Sequence, residues 1–387
     1  MVRATHEVAD VVRRFGDALL REGPVTPARR RVMRALVACR SSQLGGHVES
    51  CDACSYQRIA YNSCRNRHCP KCQGSRQARW LEERAADLLP VEYFHVVFTM
   101  PEELARIALQ NKRVVYGILF AASSATLRTV AADKRQLGAE IGFVSILHTW
   151  SQELRHHPHV HCVVPGGGLT TQGRWVSCRP GFFLPVRVLS TMFRGKFVAH
   201  LRAAYEACQL RFQGALRYLR DPQAFAECLD RAMATSWVVY SKPPFGGPVQ
   251  VLKYLARYTH RVAIGNRRIL AVGEAGVRFR CRDRGNSGRT RTMLLPGIEF
   301  LRRFLLHVLP RGFPRIRHYG LLGNRKRATK LALCRLQLGV PMPSPPATVT
   351  VAPCGIATDW CPRCHSGRLV RRPLLISMPA PEVADTS

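Results

Sequence analysis

Acidic residues are scarce in this sequence. Its 387 residues contain 25 Asp and Glu against 59 Lys and Arg, which gives a formal net charge of +34. An excess of this size goes far beyond what solubility needs and attracts polyanions, so nucleic acid is the leading partner. A hydrophobic content of 46% excludes a disordered polycation, because it is enough to bury a core in two or three domains. A basic structural protein of the ribosomal kind would share the charge, but usually in a smaller chain without histidine and cysteine constellations.

Long hydrophobic runs are also lacking. The first residues, MVRATHEVADVVRRF, contain no apolar core of a signal peptide. The longest apolar stretch, VVYGILFAASSATL at 114–127, is too short and too interrupted to span a bilayer. We therefore expect a cytoplasmic protein with no membrane partner. In a reducing compartment, the 15 cysteines, many of them in close CxxC pairs, argue for metal binding rather than disulfides.

A cysteine-rich segment follows the first 38 residues. Its two CxxC pairs, Cys51/Cys54 and Cys69/Cys72, have the spacing that offers two thiolates each to a tetrahedral zinc ion. Eight candidate ligands are enough for two ions, and one ion with spare cysteines is a nearly equal alternative. Reduced cysteines without metal are the weaker hypothesis, because few large apolar residues are present to hold the segment folded. The candidates are Cys39, His47, Cys51, Cys54, Cys64, His68, Cys69 and Cys72.

A second and weaker cysteine pattern lies in the C-terminal tail. Cys361 and Cys364 form one CxxC pair, with Cys354 and His365 nearby. A single pair does not complete a four-ligand zinc site. Zinc binding and an unstructured tail therefore stand as equal hypotheses for this segment.

Histidines alternate in the stretch HHPHVHCVVPGGGL at 156–169. In a strand, His157, His159 and His161 would stand on one face, while Val160 and Cys162 would point to the other. Imidazole is the commonest side-chain metal ligand, so histidines in register predict a metal site. The alternative is a solvated edge strand whose histidines have no function. No glutamate is placed as a general base beside this stretch, which argues against a zinc hydrolase that uses the histidines alone.

Two tyrosines stand four residues apart in the stretch GGPVQVLKYLARYTHRVAIGNRRIL. Tyr254 and Tyr258 would share one face of a helix, and the lack of a broad apolar stripe weakens the alternative that they are core residues. Tyrosine can attack phosphorus, although its pKa of about 10 makes it depend on nearby cations or a metal-bound phosphate. Attack would give a 5′-phosphotyrosyl enzyme and a free 3′-OH. The cations expected to contact DNA here are Lys253, Arg257 and Arg261.

The spacing of apolar residues predicts an α+β fold. Strands are expected at YFHVVFTM, IGFVSILHTW, the histidine stretch and SWVVYSK, with a long helical stretch from about 102 to 132. A further helix, LPVRVLSTMFRGKFVAHLRAAYEAC, would pack over the sheet. The expected domains are a basic helical arm at 1–38, a zinc-binding module at 39–74, a core at 75–310, a basic helical extension at 311–340, and a linker and tail at 341–387.

In combination, these motifs resemble a known family. HPHVH is similar to the His-hydrophobic-His signature of HUH endonucleases, and YLARY is similar to their paired-tyrosine helix. Together with SCRNRHCPKCQ, YFHVVFTMPEEL, HPHVHCVVPGGGL and YLARYTHR, they resemble the two-tyrosine rolling-circle transposases of insertion sequences of the IS ninety-one type. The resemblance covers residues 35–340. It implies an HUH-type antiparallel sheet core with helices, preceded by a small zinc-stapled module.

The resemblance also implies roles for individual residues. It places His159 and His161 at the family's metal site, Tyr254 and Tyr258 at its nucleophiles, and the cysteines at 51, 54, 64, 69 and 72 in its zinc module. The implied reaction is the nicking and transfer of single-stranded DNA, at the ends of the element and at its target, with Mg²⁺ or Mn²⁺ at the active site and one or two structural Zn²⁺ ions. Candidates for a third metal ligand are His148, Gln152, Gln250 and His260, of which Gln250 is favoured because it would lie beside the tyrosines.

Two other classes stay open at this point. A plasmid rolling-circle replication initiator or relaxase uses the same chemistry, although the zinc module ahead of the core favours a transposase. A non-catalytic zinc-dependent nucleic-acid-binding protein would share the charge and the cysteines, but it would form no covalent adduct on a tyrosine. The sequence leaves self-association open.

Overall fold

A computed structural model of the protein describes residues 4–242, 250–251, 262–282, 289–341 and 360–374. The helices in these ranges are α1 (Val8–Glu22), α2 (Pro27–Ala38), α3 (Pro70–Ala85), α4 (Glu102–Gln110), α5 (Lys112–Ala132), α6 (Val186–Glu206), α7 (Pro222–Ala234), α8 (Gly297–Leu306) and α9 (Arg327–Gln337). The strands are β1 (Gly46–Cys51), β2 (Gln57–Tyr61), β3 (Tyr93–Thr99), β4 (Gly142–Trp150), β5 (His156–Pro165), β6 (Gly167–Leu169), β7 (Trp175–Ser177), β8 (Val239–Lys242), β9 (Ile269–Gly273), β10 (Gly276–Arg282), β11 (Thr290–Leu295), β12 (Ile316–Gly320) and β13 (Leu369–Pro373).

Five antiparallel strands form the central sheet, in the order β12-β4-β5-β3-β8. The strands β3, β4 and β5 are rich in β-branched and aromatic residues, which suit a pleated surface that is covered on both sides. Every residue of β4 is buried. The predicted α+β class with an antiparallel sheet is confirmed at this level.

Helices α4, α5 and α6 cover one face of the central sheet. Alternate residues of the strands point into this layer, among them Phe94 and Phe98 of β3 and Val160 and Val164 of β5. Among the described residues, α5 alone has the length and apolar composition that crossing a membrane would need, and 67% of its apolar window is buried inside the protein. Helix α5 is therefore the central helix of this core.

The helical stretch expected from about 102 to 132 is confirmed, and it consists of two helices, α4 and α5. Asn111, with φ −116° and ψ 42°, leaves the helical region and separates α4 from α5. Its side-chain amide donates to the carbonyl oxygens of Ile107, at 3.1 Å, and Arg211, at 2.9 Å, and its Oδ1 accepts from the Arg211 N–H at 2.7 Å. The break is stabilised by a contact from 100 residues away, which helical periodicity does not reveal.

Helices α1 and α2 belong to a second hydrophobic core. Val12 of α1 and Leu36 of α2 are buried in the same cluster as Phe300 of α8, and the sheet β11-β10-β9 borders this cluster. Helix α8 begins at Gly297, where a Cβ atom would overlap the ring of Phe15 on α1. The N-terminal segment therefore packs directly on residues almost three hundred positions away along the chain.

A third sheet, in the order β13-β1-β2, joins the two ends of the chain. The hairpin β1-β2 comes from the N-terminal cysteine segment, and β13 comes from the C-terminal tail. In this register Ser50 lies opposite Val370 and Cys51 lies opposite Leu369. The described part of the tail is thus a strand of the cysteine-rich module.

Candidate active site and zinc clusters

Three buried histidines meet on the face of the central sheet that α4–α6 do not cover. His159 and His161 lie on β5, two residues apart, and His148 of β4 pairs directly with His159. Their exposed fractions are 3% for His148 and 8% for each of the other two. One ring nitrogen of each lies within 4.8 Å of the others. We call these three residues the histidine group.

Hydrogen bonds fix the orientation of two members of the histidine group. The Nδ1–H of His159 donates to the carbonyl oxygen of His157 at 2.7 Å, so its lone pair lies at Nε2. The Nδ1 of His161 lies 2.7 Å from Nε2 of His95 on β3, and the two rings are stacked with centroids 5.0 Å apart. Such bonds to the second ring nitrogen orient metal-binding histidines in proteins. No local sequence pattern indicates this contact, because it depends on the pairing of β3 with β5.

The environment of His161 favours neutral imidazole. Burial lowers the pKa of His161 well below its usual value, and the nearby charges of His148 and His159 lower it further. Neutral imidazole is the form that binds a metal ion. Three converging imidazole nitrogens fit a divalent cation.

The histidine group includes His148, one of the four candidates for a third metal ligand. Gln250 was favoured, but the residue that the structure brings to His159 and His161 is His148. The short stretch LHTW gives no periodic signal for His148, because its position depends on the register between β4 and β5. His157 lies on the same strand face, with its ring centroid 5.2 Å from that of His159, and is outside the group.

The predicted tyrosine helix lies outside the described residues, and this holds for Tyr254, Tyr258, Lys253, Arg257, His260 and Arg261. Two residues just before the tyrosines are described. Gln250 is exposed, and Val251 is buried in the same hydrophobic cluster as Val144, Ile146 and Val163. Along β4 and β5, these three residues stand at even spacing from His148 and His161, so Val251 lies on the histidine face of the sheet.

The first cysteine cluster lies inside the second hydrophobic core. The Sγ atom of Cys72 lies 3.5 Å from that of Cys39 and 3.6 Å from that of Cys64, and Cys69 completes the cluster. A tetrahedral zinc ion with Zn–S bonds of about 2.3 Å would space its sulfur atoms by roughly 3.8 Å. Hydrogen bonds with Cys64 and Cys69 lower the pKa of Cys72, which favours the thiolate that zinc requires. We call this group cluster one.

The second cysteine cluster joins the N-terminal hairpin to the tail. The Sγ atoms of Cys51 and Cys364 lie 3.7 Å apart, as do those of Cys54 and Cys361. Hydrogen bonds from Ser366 and the backbone N–H of Gly367 hold the pKa of the Cys364 thiol at about 5, so it is a thiolate at neutral pH. These distances and this chemistry fit a second zinc ion, and residues 360–374 of the tail are structured around it. We call this group cluster two.

Two of the eight candidate zinc ligands lie outside both clusters. The Nε2 of His47 is 3.2 Å from Oε1 of Glu49, and the Nε2 of His68 accepts the backbone N–H of Leu309 at 3.2 Å. Both histidines therefore contact other partners than the cysteine sulfurs. The two N-terminal CxxC pairs do not share an ion either, because each takes its partners from elsewhere in the chain.

The loop between Cys64 and Cys69 contacts a segment that leads toward the histidine group. Arg67 in this loop donates to the carbonyl oxygens of Phe313 and Pro310, each at 2.6 Å. Shortly after Phe313, the guanidinium of Arg315 lies 5.6 Å from the ring centroid of Trp150. Trp150 in turn stacks on His148 with ring centroids 4.4 Å apart. Cluster one and the histidine group are therefore joined by continuous packing.

Comparison with known proteins shows similarity to transposases and to their zinc-binding domain. Residues 142–329 match the family described as "Putative transposase", and residues 11–100 match the "Transposase zinc-binding domain". The chain is 53% identical over 382 residues to the "Putative transposase y4qJ" of Sinorhizobium fredii (strain NBRC 101917 / NGR234), which covers 96% of each chain. It is 26% identical over 338 residues to the "Transposase for insertion sequence element IS801" of Pseudomonas savastanoi pv. phaseolicola, covering 87% of this chain and 80% of that protein. No solved structure matches.

A zinc-binding module joined to an α+β core that carries a buried histidine group is thus a transposase architecture. The chain belongs to the family of insertion-sequence transposases of the IS ninety-one type, with an N-terminal zinc-binding domain. The resemblance that the motifs indicated is confirmed.

Proposed function

We propose that this transposase nicks single-stranded DNA and transfers it through a 5′-phosphotyrosine intermediate. The observation that carries the proposal is the histidine group, three buried imidazoles on one face of an antiparallel sheet in a chain of this family. The net charge of +34 supports DNA as the substrate.

In this proposal, His148, His159 and His161 hold one divalent cation, Mg²⁺ or Mn²⁺. When bound, the ion would polarise the scissile phosphate and neutralise charge in the transition state. Imidazole nitrogen is softer than the oxygen ligands that Mg²⁺ prefers, so Mn²⁺ should bind more tightly than Mg²⁺. His95 and the carbonyl oxygen of His157 keep the ligand nitrogens of His161 and His159 directed at the ion.

Tyr254 or Tyr258 is the proposed nucleophile. Its phenolic oxygen forms a bond to the phosphorus, the bond from phosphorus to the 3′ oxygen breaks, and the phenolic proton leaves while the 3′ oxygen gains one to become a free hydroxyl. Lys253, Arg257 and Arg261 stand in the same stretch of sequence, where their charge would favour the phenolate and hold the phosphate. The position of Val251 on the histidine face of the sheet, three residues before Tyr254, supports a tyrosine near the histidine group.

Two tyrosines allow two DNA ends to be held at once. One can retain the first cleaved 5′ end while the other attacks the second strand, because the phosphotyrosine bond conserves the energy of the phosphodiester. A 3′-OH that attacks this bond rejoins the strands without ATP and releases the tyrosine. This exchange of ends is what a transposase needs.

End-labelled oligonucleotides that carry one end of the element test the proposal. With Mn²⁺, the protein should release a fragment with an extendable 3′-OH and keep the other fragment on the protein through its 5′ end. His159→Ala combined with His161→Ala should abolish cleavage while leaving DNA binding nearly intact, because the basic surface is unchanged. His200→Ala, at an exposed position on α6, is the matched control and should cleave normally. Full cleavage by the double histidine variant would contradict the metal assignment.

A further inference from the structure

One face of the sheet β13-β1-β2 is largely exposed, with only the side chains of the central strand β1 half-buried. In antiparallel pairs, residues opposite one another point to the same side. The register places Ile59, Val48 and Arg372 in one row across the sheet, and Gln57, Ser50 and Val370 in the next. With Tyr61 and Arg368, which follow by two-residue alternation, and Trp360, which bridges to Arg368, these residues form a surface that we call the ribbon face.

Large apolar side chains are concentrated on the ribbon face. The exposed fractions are 61% for Trp360, 55% for Ile59, 40% for Val370 and 39% for Tyr61. These four are a third of the twelve large hydrophobic side chains that are exposed in the described part of the chain. Because three short strands contribute three of these side chains and Trp360 lies beside them, the ribbon face has the composition of a binding surface.

The charges of this sheet point to an anionic occupant. The ribbon face carries Arg368 and Arg372 and no carboxylate, and the guanidinium of Arg368 lies 5.3 Å from the ring centroid of Trp360. Glu49, the one acidic residue in the three strands, is buried on the opposite face.

Glu49 is held there by two other arginines. Its carboxylate accepts hydrogen bonds from Nε of Arg58 at 2.6 Å and Nε of Arg371 at 3.0 Å, and these partners lower its pKa although burial alone would raise it. Arg58 and Arg371 are therefore engaged by an internal carboxylate, while the ribbon face combines aromatic rings with arginines that face no carboxylate of these strands.

Cluster two holds the ribbon face in place. Trp360 directly precedes Cys361, and the hairpin β1-β2 that carries Ile59 and Tyr61 contains Cys51 and Cys54 at its turn. Rings that are fixed in position before binding lose less conformational freedom when a ligand stacks on them.

We propose that the ribbon face is a second site for single-stranded DNA, where unpaired bases stack on Trp360 and Tyr61 while Arg368 and Arg372 contact the phosphates. It rests on the proposed function and adds a holding site that is separate from the histidine group. Unpaired bases present their faces to aromatic rings, whereas a duplex stacks those faces inside the helix. A strand of five residues is about 17 Å long, which suits a few nucleotides.

The test compares binding of one fluorescent oligonucleotide, single-stranded and as a duplex, to the zinc-loaded full-length protein. Tyr61→Ala and Trp360→Ala should each weaken single-strand binding by roughly 5- to 150-fold and leave duplex binding nearly unchanged. Tyr61→Phe and Trp360→Phe keep a ring and should retain most of the affinity. Tyr218→Ala removes another exposed tyrosine, in the turn Gly214–Arg220, and should bind as the unchanged protein does.

Zinc content and covalent adduct formation make the outcomes separable. If Trp360→Ala loses zinc, its weaker binding could come from the loss of cluster two, and the single-strand affinity of Tyr61→Ala then decides the test. Unchanged single-strand affinity in a variant with full zinc content would overturn the proposal, as would an equal loss for the duplex or a change in self-association alone. The proposed function is judged separately, by adduct formation at saturating oligonucleotide, which the ribbon face variants should retain. If the wild-type protein forms no adduct while the ribbon face variants lose single-strand affinity, the nuclease mechanism is refuted and the ribbon face proposal is not.

Discussion

At the scale of single residues, the identity of the third metal ligand separates His148 from Gln250. His148 has a ring nitrogen within 4.8 Å of those of His159 and His161, whereas the side chain of Gln250 is exposed. We predict that His148→Ala weakens Mn²⁺ binding by at least about 10- to 100-fold, the range that outer-shell partners already reach. Gln250→Ala should change it little. Titration calorimetry with Mn²⁺ measures both, and the reverse order of effects would restore Gln250 as the ligand.

His307 at the end of α8 makes the stability of the protein depend on pH. The Nδ1 of His307 lies 3.1 Å from Oγ1 of Thr149, and its Nε2 lies 3.0 Å from the carbonyl oxygen of Leu154. Burial lowers the pKa of His307 to about 3. Below pH 6.5 His307 is protonated in the unfolded chain, whereas in the folded protein it stays neutral until about pH 3. The stabilising contribution is therefore present above pH 6.5 and is lost as the pH falls through this window.

His307→Gln keeps a donor and an acceptor at this position but does not titrate. We predict that its free energy of unfolding, compared with that of the unchanged protein, rises by about 2 to 3 kcal/mol between pH 7 and pH 4.5. Urea unfolding at both values measures the difference, and effects of acid on the zinc clusters cancel in the comparison. A difference that stays the same at both pH values would show that His307 is protonated in the folded state.

The sequence indicated His159 and His161 directly, gave His148 only as one of four candidates, and gave no signal for His95. The two-residue alternation of His159 and His161 is visible in the linear chain, because a strand repeats every two residues. The roles of His148 and His95 depend on which strands lie beside β5, and hence on long-range register. A local pattern contains no information about that register.

At the scale of elements, the two cysteine clusters differ in what they stabilise. Cluster one is buried among the apolar residues of the second core, while cluster two staples a peripheral sheet. Both cysteine pairs of the N-terminal module were recognisable from their spacing. The spacing did not show which other cysteines join each pair, Cys39 and Cys64 in cluster one and Cys361 and Cys364 in cluster two. Cluster two in particular closes across more than 300 residues.

Replacing one CxxC pair from each cluster tests this difference. We predict that Cys361→Ser with Cys364→Ser lowers the zinc content from two ions per chain to one and leaves the thermal unfolding of the core nearly unchanged. Cys69→Ser with Cys72→Ser should abolish the folding of the second core, because structural zinc contributes on the order of 10 kcal/mol in small modules. Metal analysis and calorimetry give both quantities. Equal destabilisation by the two double variants would contradict the distinction.

At the scale of the whole molecule, segments near the two ends of the chain pack on segments far from them in sequence. Helix α1 packs on α8, and β13, in the described part of the tail, pairs with β1. The excess of positive charge and the α+β class were predictable from composition and periodicity. The closure of both ends onto the rest was not, because it follows from tertiary packing of apolar surfaces that the sequence shows only as separate amphipathic helices and cysteine pairs.

The central claim, that a tyrosine of this transposase forms a covalent bond to DNA, is tested most directly by isolating the protein–DNA adduct under denaturing conditions. The unchanged protein, incubated with Mn²⁺ and a single-stranded oligonucleotide that carries the element's end, should yield an adduct that peptide mapping assigns to Tyr254 or Tyr258. Tyr254→Phe and Tyr258→Phe should differ from one another in yield, and the double variant should give none. A denaturation-resistant adduct on the double variant would contradict the account.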